Sequence, residues 1–384
     1  MPQLQSSRGI GARWFSHVDW FLFFSAFAIT LLGLITMRPF TGDADNFFQK
    51  QIFWIIAAIV VFFAASIPEY RLLRRSTVVT GLYIVIISLL AFVFLFGTIV
   101  KGAQSRFDLG FFLVQPAEPA KLILIIVLAK YFARRHVEIA HVRHIFVSGA
   151  YAFLMCLLVF LQPDFGSAII IASVWFGMVL VAGISWRHLL TLIVIGLMCG
   201  GALWQYGLED YQRQRVLTFL HPLADIQGAG YNAYQSTIAI GSGEVTGKGV
   251  GLGTQSKLQF LPEYHTDFIF AAYAEEWGFV GVVLLFGLYA IVIVRVLVTS
   301  VHGADNFVTL FGAGVCIMLV SHFLVHVGMN MGLLPVTGTT VPFMSYGGSH
   351  LLVEFAGLGM LMGLRRVRKA ATLVVDKTEL VGGV

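Results

Sequence analysis

The sequence predicts an all-α polytopic membrane protein of about ten transmembrane helices. Both termini are expected to be cytoplasmic, with a large extracytoplasmic loop between spans 7 and 8. Three observations carry this reading. Of 384 residues, 58% are hydrophobic and 12% charged, with a mean hydropathy of +0.84, whereas a soluble domain carries about 25% charged residues. Apolar runs of about 20 residues, enough to cross a bilayer, recur along the chain. Sixteen of the 25 Lys and Arg fall on one side of those runs, which the positive-inside rule makes cytoplasmic.

Taken in order, the first span covers 18–37. Arg8 and Arg13 precede it and no small-residue cleavage site follows, so it reads as an uncleaved span rather than a removable signal peptide. Asp43 and Asp45 form an Asp-x-Asp pattern that can hold a metal on a nucleotide sugar; in a short outward loop it reads as a solvated turn. Spans 2 and 3 cover 51–67 and 77–97. Span 4, at 117–133, opens on "FLVQPAEPAKL", where Glu118 and Lys121 share a helix face. They are either a functional intramembrane pair or two charges that neutralise each other. Spans 5 and 6, at 145–161 and 167–184, are joined by "LQPDFGSA", in which Asp164 is a turn former or a cap.

Span 7 covers 188–206, and the loop at 207–267 is the largest polar piece, so residues 1–384 form a single membrane domain. Its segment "GSGEVTGKGVGLGTQSK" (241–257) resembles a phosphate loop at a glance, but Gly249 follows Lys248 where Ser or Thr is required. It reads instead as a flexible loop that exposes backbone to a ligand. Spans 8, 9 and 10 cover 268–295, 306–332 and 346–364. Cys156, Cys199 and Cys316 each sit alone in apolar runs, with no zinc or disulfide spacing.

Span 8 opens on "FLPEYHTDFIFAAYAEEWGF". Counting back about 20 residues from Arg295 reaches Glu275 and Glu276 at the outer edge of the hydrocarbon. A continuing helix puts Asp267 roughly 12 Å further out, at headgroup height. There Asp267, or Thr266, is either a helix cap or an ionised group facing the outer leaflet. Helical rotation places Glu275 nearer the Asp267 face and Glu276 away from it. His322, His326 and Asn330 form a stripe on span 9 that reads as bundle-facing hydrogen bonds rather than a zinc site. "LPVTGTTVPFMSYGGSH" (334–350) is expected to fold tightly over a cavity, because irregular backbone is not tolerated against lipid. The outward basic residues suggest an anionic ligand such as a lipid phosphate. At this point a transporter and a membrane-embedded transferase both remain open.

The motifs "QPAEPAKL", "QPDFGSA", "GLGTQSKLQFLPEYHTDFIFA", "AEEWGF" and "PFMSYGGS", in that order, resemble the SEDS family (shape, elongation, division and sporulation) of peptidoglycan glycosyltransferases. The likeness leans toward its elongation enzymes rather than its division enzymes. Phe107, His326 and His350 depart from the family pattern. The resemblance implies polymerisation of lipid II into glycan strands at the outer face of the bacterial inner membrane, with inversion at the MurNAc anomeric carbon. A lipid II flippase and a division-type polymerase are the alternatives. It implies Asp267 as the catalytic aspartate. Arg106, Lys121, Glu118, Lys257, His265 and Ser345 are expected at the substrate and its pyrophosphate, with Glu275, Gln162 and Asp164 in support. A divalent cation, Mg2+ or Mn2+, fits the chemistry, though the sequence shows no ligands for it. The implied partners are a class B penicillin-binding protein and membrane proteins of the elongation complex; nucleic acid is not expected.

Overall fold

The computed structural model describes residues 17–38, 47–68, 70–100, 103–108, 113–134, 142–221, 228 and 230–381. Arg8, Arg13, Asp43 and Asp45 lie outside them. Helices stand at all ten expected positions: α1 (Trp20–Met37), α2 (Phe47–Ser66), α3 (Ser76–Phe96), α4 (Ala117–Ala133), α5 (Val142–Phe160), α6 (Phe165–Ala182), α7 (Trp186–Ala202), α11 (Ile269–Val301), α12 (Asn306–Asn330) and α13 (Gly348–Val381). Eight helices among the described residues are long and apolar enough to cross a membrane. The chain is a multi-pass membrane protein.

At 17 residues with three charges, α4 falls short of that standard, and its burial is what lets it hold them. It carries Glu118, Lys121 and Lys130, all buried, and apolar side chains such as Leu124, Ile125 and Leu128 are fully covered around it. Its neighbours α3, α5, α6, α12 and α13 shield it from lipid. A helix hydrophobic all round belongs in a core, and only there can a span hold charges that lipid would penalise. By contrast α7 buries no side chain.

Two features depart from the all-α expectation of spans and loops. Between α3 and α4 the chain forms a small antiparallel sheet of β1 (Thr98–Val100), β2 (Ala103–Asp108) and β3 (Leu113–Val114), with Thr98 opposite Arg106 and Phe107 opposite Val114. Its strands are too short for a two-residue alternation to stand out in the sequence. The 207–267 loop folds into α8 (Asp210–Leu220), α9 (Tyr231–Ser242) and the single turn α10 (Thr254–Lys257). α8 begins with a capping box formed by Glu209 and Gln212, and α9 packs on α11 and α12.

The glycine-rich segment is not a free ligand loop. α11 breaks at Gly278, whose φ of 64° and ψ of −166° are non-helical. The break frees backbone groups that need partners inside the membrane. The 243–249 segment supplies them: Lys248 N donates to Glu275 O at 3.0 Å and Gly249 N to Glu276 O at 3.0 Å, while Phe279 N and Val280 N donate to Glu244 O and Val245 O at 2.9 and 3.1 Å. The approach is so close that a β-carbon on Gly278 would lie 2.2 Å from Gly247 N. Glycine is required here for both its φ and its missing side chain.

At the far end of α11, Arg295 does not simply snorkel to the interface. It donates to Asp19, the buried N-cap of α1, which Arg365 of α13 also approaches at 3.4 Å. This cluster ties α1, α11 and α13 together on the membrane face opposite Asp267.

Gly278→Ala is expected to lower thermal stability in detergent, by roughly 1–3 kcal/mol from backbone strain alone and more from the clash. Gly287→Ala on the same helix, where a β-carbon meets open space, is the control and should hold or raise the melting temperature. An unchanged melting temperature for Gly278→Ala would mean that the break is not held by close packing.

Candidate active site

A cavity of about 790 Å³ opens where α2, β2, the start of α4, the turn between α5 and α6, and residues 263–267 and 335–350 converge. Asp267, Arg106, Lys121, Glu118, His265 and Asp164 all line it. The chain thus brings together residues separated by up to 303 positions in sequence, from Phe47 to His350.

Residues 262–268 form a run of turns rather than the first turn of α11. Glu263 adopts a φ of 58°, and its carbonyl accepts from Thr266 N and Phe268 N, each at 3.1 Å. The N-cap position of α11 is Phe268, which makes no side-chain cap bond. Neither Asp267 nor Thr266 caps the helix; Thr266 Oγ1 donates to Glu263 Oε2 at 3.0 Å instead.

Three consecutive carbonyls of this segment are pinned by groups remote in sequence. His265 O accepts from Tyr346 N at 2.8 Å, Thr266 O from Ser345 Oγ at 3.0 Å, and Asp267 O from Asn330 Nδ2 at 2.9 Å. Asn330 Oδ1 also accepts from Ala271 N at 3.3 Å, which joins α12 to the start of α11. The position of the Asp267 backbone is therefore set by α12 and by the segment before α13. Opposite it, Gly338 comes so near that a β-carbon there would lie 3.5 Å from Asp267 Oδ2.

The segment that holds Asp267 is itself anchored from below. Phe343 adopts a φ of 62°, and its N–H donates to the buried carboxylate of Glu354 at 2.7 Å. Tyr289 donates to Pro342 O. Gln51 of α2 donates to Ser345 O and accepts from Gly347 N, at 3.4 and 3.2 Å. This tightly folded element over a cavity is what the Pro- and Gly-rich composition predicted.

Lys121 is 1% exposed, yet it lines the cavity. It donates to Glu118 Oε1 at 2.7 Å and lies 3.1 Å from His322 Nε2. To accept there, His322 must carry its proton on Nδ1, which faces Thr340 O at 3.2 Å. One chain of hydrogen bonds thus links Glu118 and Lys121 to the wall beside Asp267. His326 likewise faces Thr339 O at 2.7 Å, so the stripe on α12 makes bundle-facing hydrogen bonds, as its spacing suggested.

Asp164 is both a cap and part of the cavity wall. Its carboxylate caps α6 through Ser167 N at 3.0 Å and accepts from Gln115 Nε2 at 2.7 Å. The His265 ring stacks on Phe47, with centroids 4.5 Å apart.

Four expected site residues stand elsewhere. Ser345 is fully buried; its hydroxyl accepts from Val341 N at 2.9 Å as it donates to Thr266 O, so it is a strut rather than a pyrophosphate contact. Gln162 is buried and donates to Leu90 O at 2.9 Å. Lys257 is exposed at the end of α10 and does not line the cavity. Glu275 does not face the cavity but accepts from Lys248 Nζ at 2.8 Å and from Thr254 Oγ1 and Gln255 N at 3.1 Å. Glu276 accepts from Gly251 N at 2.7 Å, on the same glycine-rich segment. The rotation argument fails because helix does not run through Asp267 and because the broken α11 takes this segment as its neighbour.

Lys50, Gln115, Arg215, Glu263 and His350 also line the cavity, though none is among the expected site residues. Lys50 and Arg215 were visible only as outward charges. Asn330 was visible only as the last member of the stripe. No group of three His, Cys, Asp or Glu side chains that could hold a metal occurs among the described residues. Glu118 accepts from Lys121, Asp164 from Gln115 and Ser167, and Glu263 from Thr266.

Lys121→Met should leave Glu118 buried without its cation and cost roughly 3–5 kcal/mol of stability. The double variant Glu118→Gln with Lys121→Met should lose clearly less than the two single losses added together, measured by thermal unfolding in detergent. Additive losses would show that the two side chains do not depend on each other.

Comparison with known proteins agrees with this architecture. The FtsW/RodA/SpoVE cell cycle protein family matches residues 13–370. The peptidoglycan glycosyltransferase MrdB of Escherichia coli K12 is 37% identical over 354 residues, spanning 92% of this chain and 95% of that protein. A chain from a structure described as structural coordination of polymerization and crosslinking by a peptidoglycan synthase complex superposes with a TM-score of 0.77 at 32% identity, covering 91% of this chain and 98% of that one. The crystal structure of the rod shape determining protein RodA of Thermus thermophilus superposes with a TM-score of 0.68 at 30% identity, covering 91% and 96%.

Proposed function

This chain belongs to the FtsW/RodA/SpoVE cell cycle protein family, and from that premise we propose that it is a peptidoglycan glycosyltransferase of the RodA kind. Its substrate in this reading is lipid II, a disaccharide-pentapeptide on undecaprenyl pyrophosphate, polymerised at the outer face of the bacterial inner membrane during elongation and rod-shape maintenance. One observation supports the chemistry most directly: a single cavity brings a carboxylate, Asp267, together with the cations Lys121 and Arg106.

The reaction needs a base and a means of carrying negative charge away. The GlcNAc 4-hydroxyl of one lipid II attacks the anomeric carbon of MurNAc in another. A C–O bond forms there as the bond to pyrophosphate breaks, and the configuration inverts. The hydroxyl proton passes to the Asp267 carboxylate; such general-base assistance contributes ~10²–10⁴-fold. The electron pair leaves with undecaprenyl pyrophosphate, whose charge Lys121 and Arg106 offset. His265 and Asp164 border the sugars. Glu118 holds the Lys121 ammonium in place, and Ser345 and Asn330 act as positioning residues through the Asp267 backbone.

A divalent cation such as Mg2+ or Mn2+ enters this proposal as a companion of the substrate. Such hard ions are held by one or two carboxylates together with substrate phosphates, and Asp267 and Glu263 are the cavity carboxylates suited to that part.

A lipid II flippase would need a polar route between the two faces. Midway along α4, Leu124, Ile125 and Leu128 are fully buried within the apolar core, which favours the polymerase. We also propose that the chain works with a class B penicillin-binding protein and other membrane proteins of the elongation complex. The likeness to a chain of a peptidoglycan synthase complex motivates this.

Asp267→Asn should abolish glycan formation from lipid II by the purified protein and its transpeptidase partner, with the melting temperature preserved. Full activity in that variant would remove Asp267 from the reaction. Arg106→Ala should lower turnover by about tenfold or more, as the loss of one charge-stabilising group does. Ser345→Ala should lower kcat with little change in KM, since Ser345 is buried away from substrate and acts through the position of the Asp267 backbone. A rise in KM at constant kcat would instead return Ser345 to the substrate contacts.

A further inference from the structure

The Lys121 ammonium has three N–H donors and no acceptor, and the described residues take two of the three. Glu118 Oε1 accepts one at 2.7 Å and His322 Nε2 a second at 3.1 Å. Lys121 has no further partner among the described residues, although it lines the cavity. The donors of an ammonium are tetrahedral about nitrogen, so two fixed acceptors also set the direction of the third N–H. With Glu118 alone, three residues away on the same helix, the flexible four-carbon stem would let the ammonium swing about a single bond.

His322 is itself held at both ring nitrogens. It is 4% exposed, and its Nδ1 donates to Thr340 O at 3.2 Å while Nε2 accepts from Lys121. An imidazolium would turn a second N–H against the ammonium, so this geometry suits only the neutral ring. The Thr340 carbonyl belongs to the wall that faces Asp267. Two residues before it, a β-carbon on Gly338 would lie 3.5 Å from Asp267 Oδ2. Between them, Thr339 O accepts from His326 Nδ1 at 2.7 Å, so α12 holds this short stretch of backbone at two consecutive carbonyls. His322 therefore joins the cation on α4 to the same wall that borders the carboxylate.

We propose that His322 is a positioning residue for the reaction: it turns the remaining Lys121 N–H into the cavity, toward a phosphate oxygen, and fixes the spacing between Lys121 and Asp267. The identity of that phosphate, the pyrophosphate of the leaving lipid, rests on the glycosyltransferase reading above. A displacement of about 1 Å in such a group can cost ~10²-fold in rate, so a side chain that only orients a cation has a measurable effect.

Two substitutions separate this role from simple packing. His322→Asn puts an amide where Nδ1 stands, so it keeps a donor for Thr340 O but ends short of Lys121. His322→Gln carries its amide oxygen out to the Nε2 position and restores an acceptor for the ammonium. The full-length protein, purified with its transpeptidase partner, is assayed for kcat/KM on lipid II. Its melting temperature is measured with and without millimolar inorganic pyrophosphate. His322→Asn is expected to lower kcat/KM by about 10- to 100-fold with its ligand-free melting temperature near that of wild type, and His322→Gln to recover most of the loss. Pyrophosphate should raise the melting temperature of wild type and His322→Gln clearly more than that of His322→Asn. His322→Leu, an apolar side chain at a buried position, takes the place of the Asn variant if that one does not fold. Wild-type turnover in the variant without an acceptor overturns the inference, as do losses in both variants that track their melting temperatures. If wild type forms no glycan while the pyrophosphate shift still follows the acceptor at position 322, the glycosyltransferase reading falls and the placement of Lys121 by His322 stands.

Discussion

The backbone carbonyls of His265, Thr266 and Asp267 are the point on which the rest of the cavity depends. They belong to a stretch of turns inside a helical membrane bundle, where an unpaired polar group costs several kcal/mol. Tyr346 N, Ser345 Oγ and Asn330 Nδ2 each take one of them. Once these bonds are made, Asp267 is held by α12 and the segment before α13 rather than by its own helix. That segment needs its own support, so Glu354, Tyr289 and Gln51 hold the backbone of residues 342–347 in turn. The backbone that carries the Asp267 carboxylate is thus held, through residues 342–347, by side chains of α2, α11 and α13.

The same constraint explains the glycine-rich segment and the paired glutamates. Breaking α11 at Gly278 frees backbone groups, and the 243–249 segment pairs with them across the break. Glu275 and Glu276 then serve that segment, accepting from Lys248 and from Gly251 N. Carboxylates near the membrane surface are commonly read as chemistry. Here two of the three most conspicuous ones close a backbone junction, and only Asp267 faces open space.

Charge is divided between the two ends of α4. At one end Lys121 is matched by Glu118 and faces the Asp267 cavity. At the other, Lys130 and Arg134 meet Arg143 and His144 of α5. Packed apolar residues, among them Leu124, Ile125 and Leu128, fill the helix between them, so no polar side chain of α4 links one end to the other. The central position of α4 makes this arrangement affordable: its charges are shielded from lipid by five neighbouring elements.

The sequence by itself determined the membrane class, the ten helical positions and the residues with chemistry worth testing. Those depend on hydropathy, which is summed over about 20 residues, and on motifs that are contiguous. Asp267, Glu118 and Lys121 were legible because each stands in such a motif at the mouth of an apolar run. Only the tertiary structure decided which polar residues face the cavity and which support it. Ser345 and Asp267 looked alike as polar groups beside a span, yet one is a fully buried strut and the other lines the cavity. Glu275 was placed by a rotation that assumed unbroken helix, and the turns at 262–268 and the break at Gly278 removed that premise. The difference is physical: a hydrogen bond such as that of Asn330 to the Asp267 carbonyl joins residues 63 positions apart, and no local pattern in a chain records which distant backbone group a side chain will satisfy.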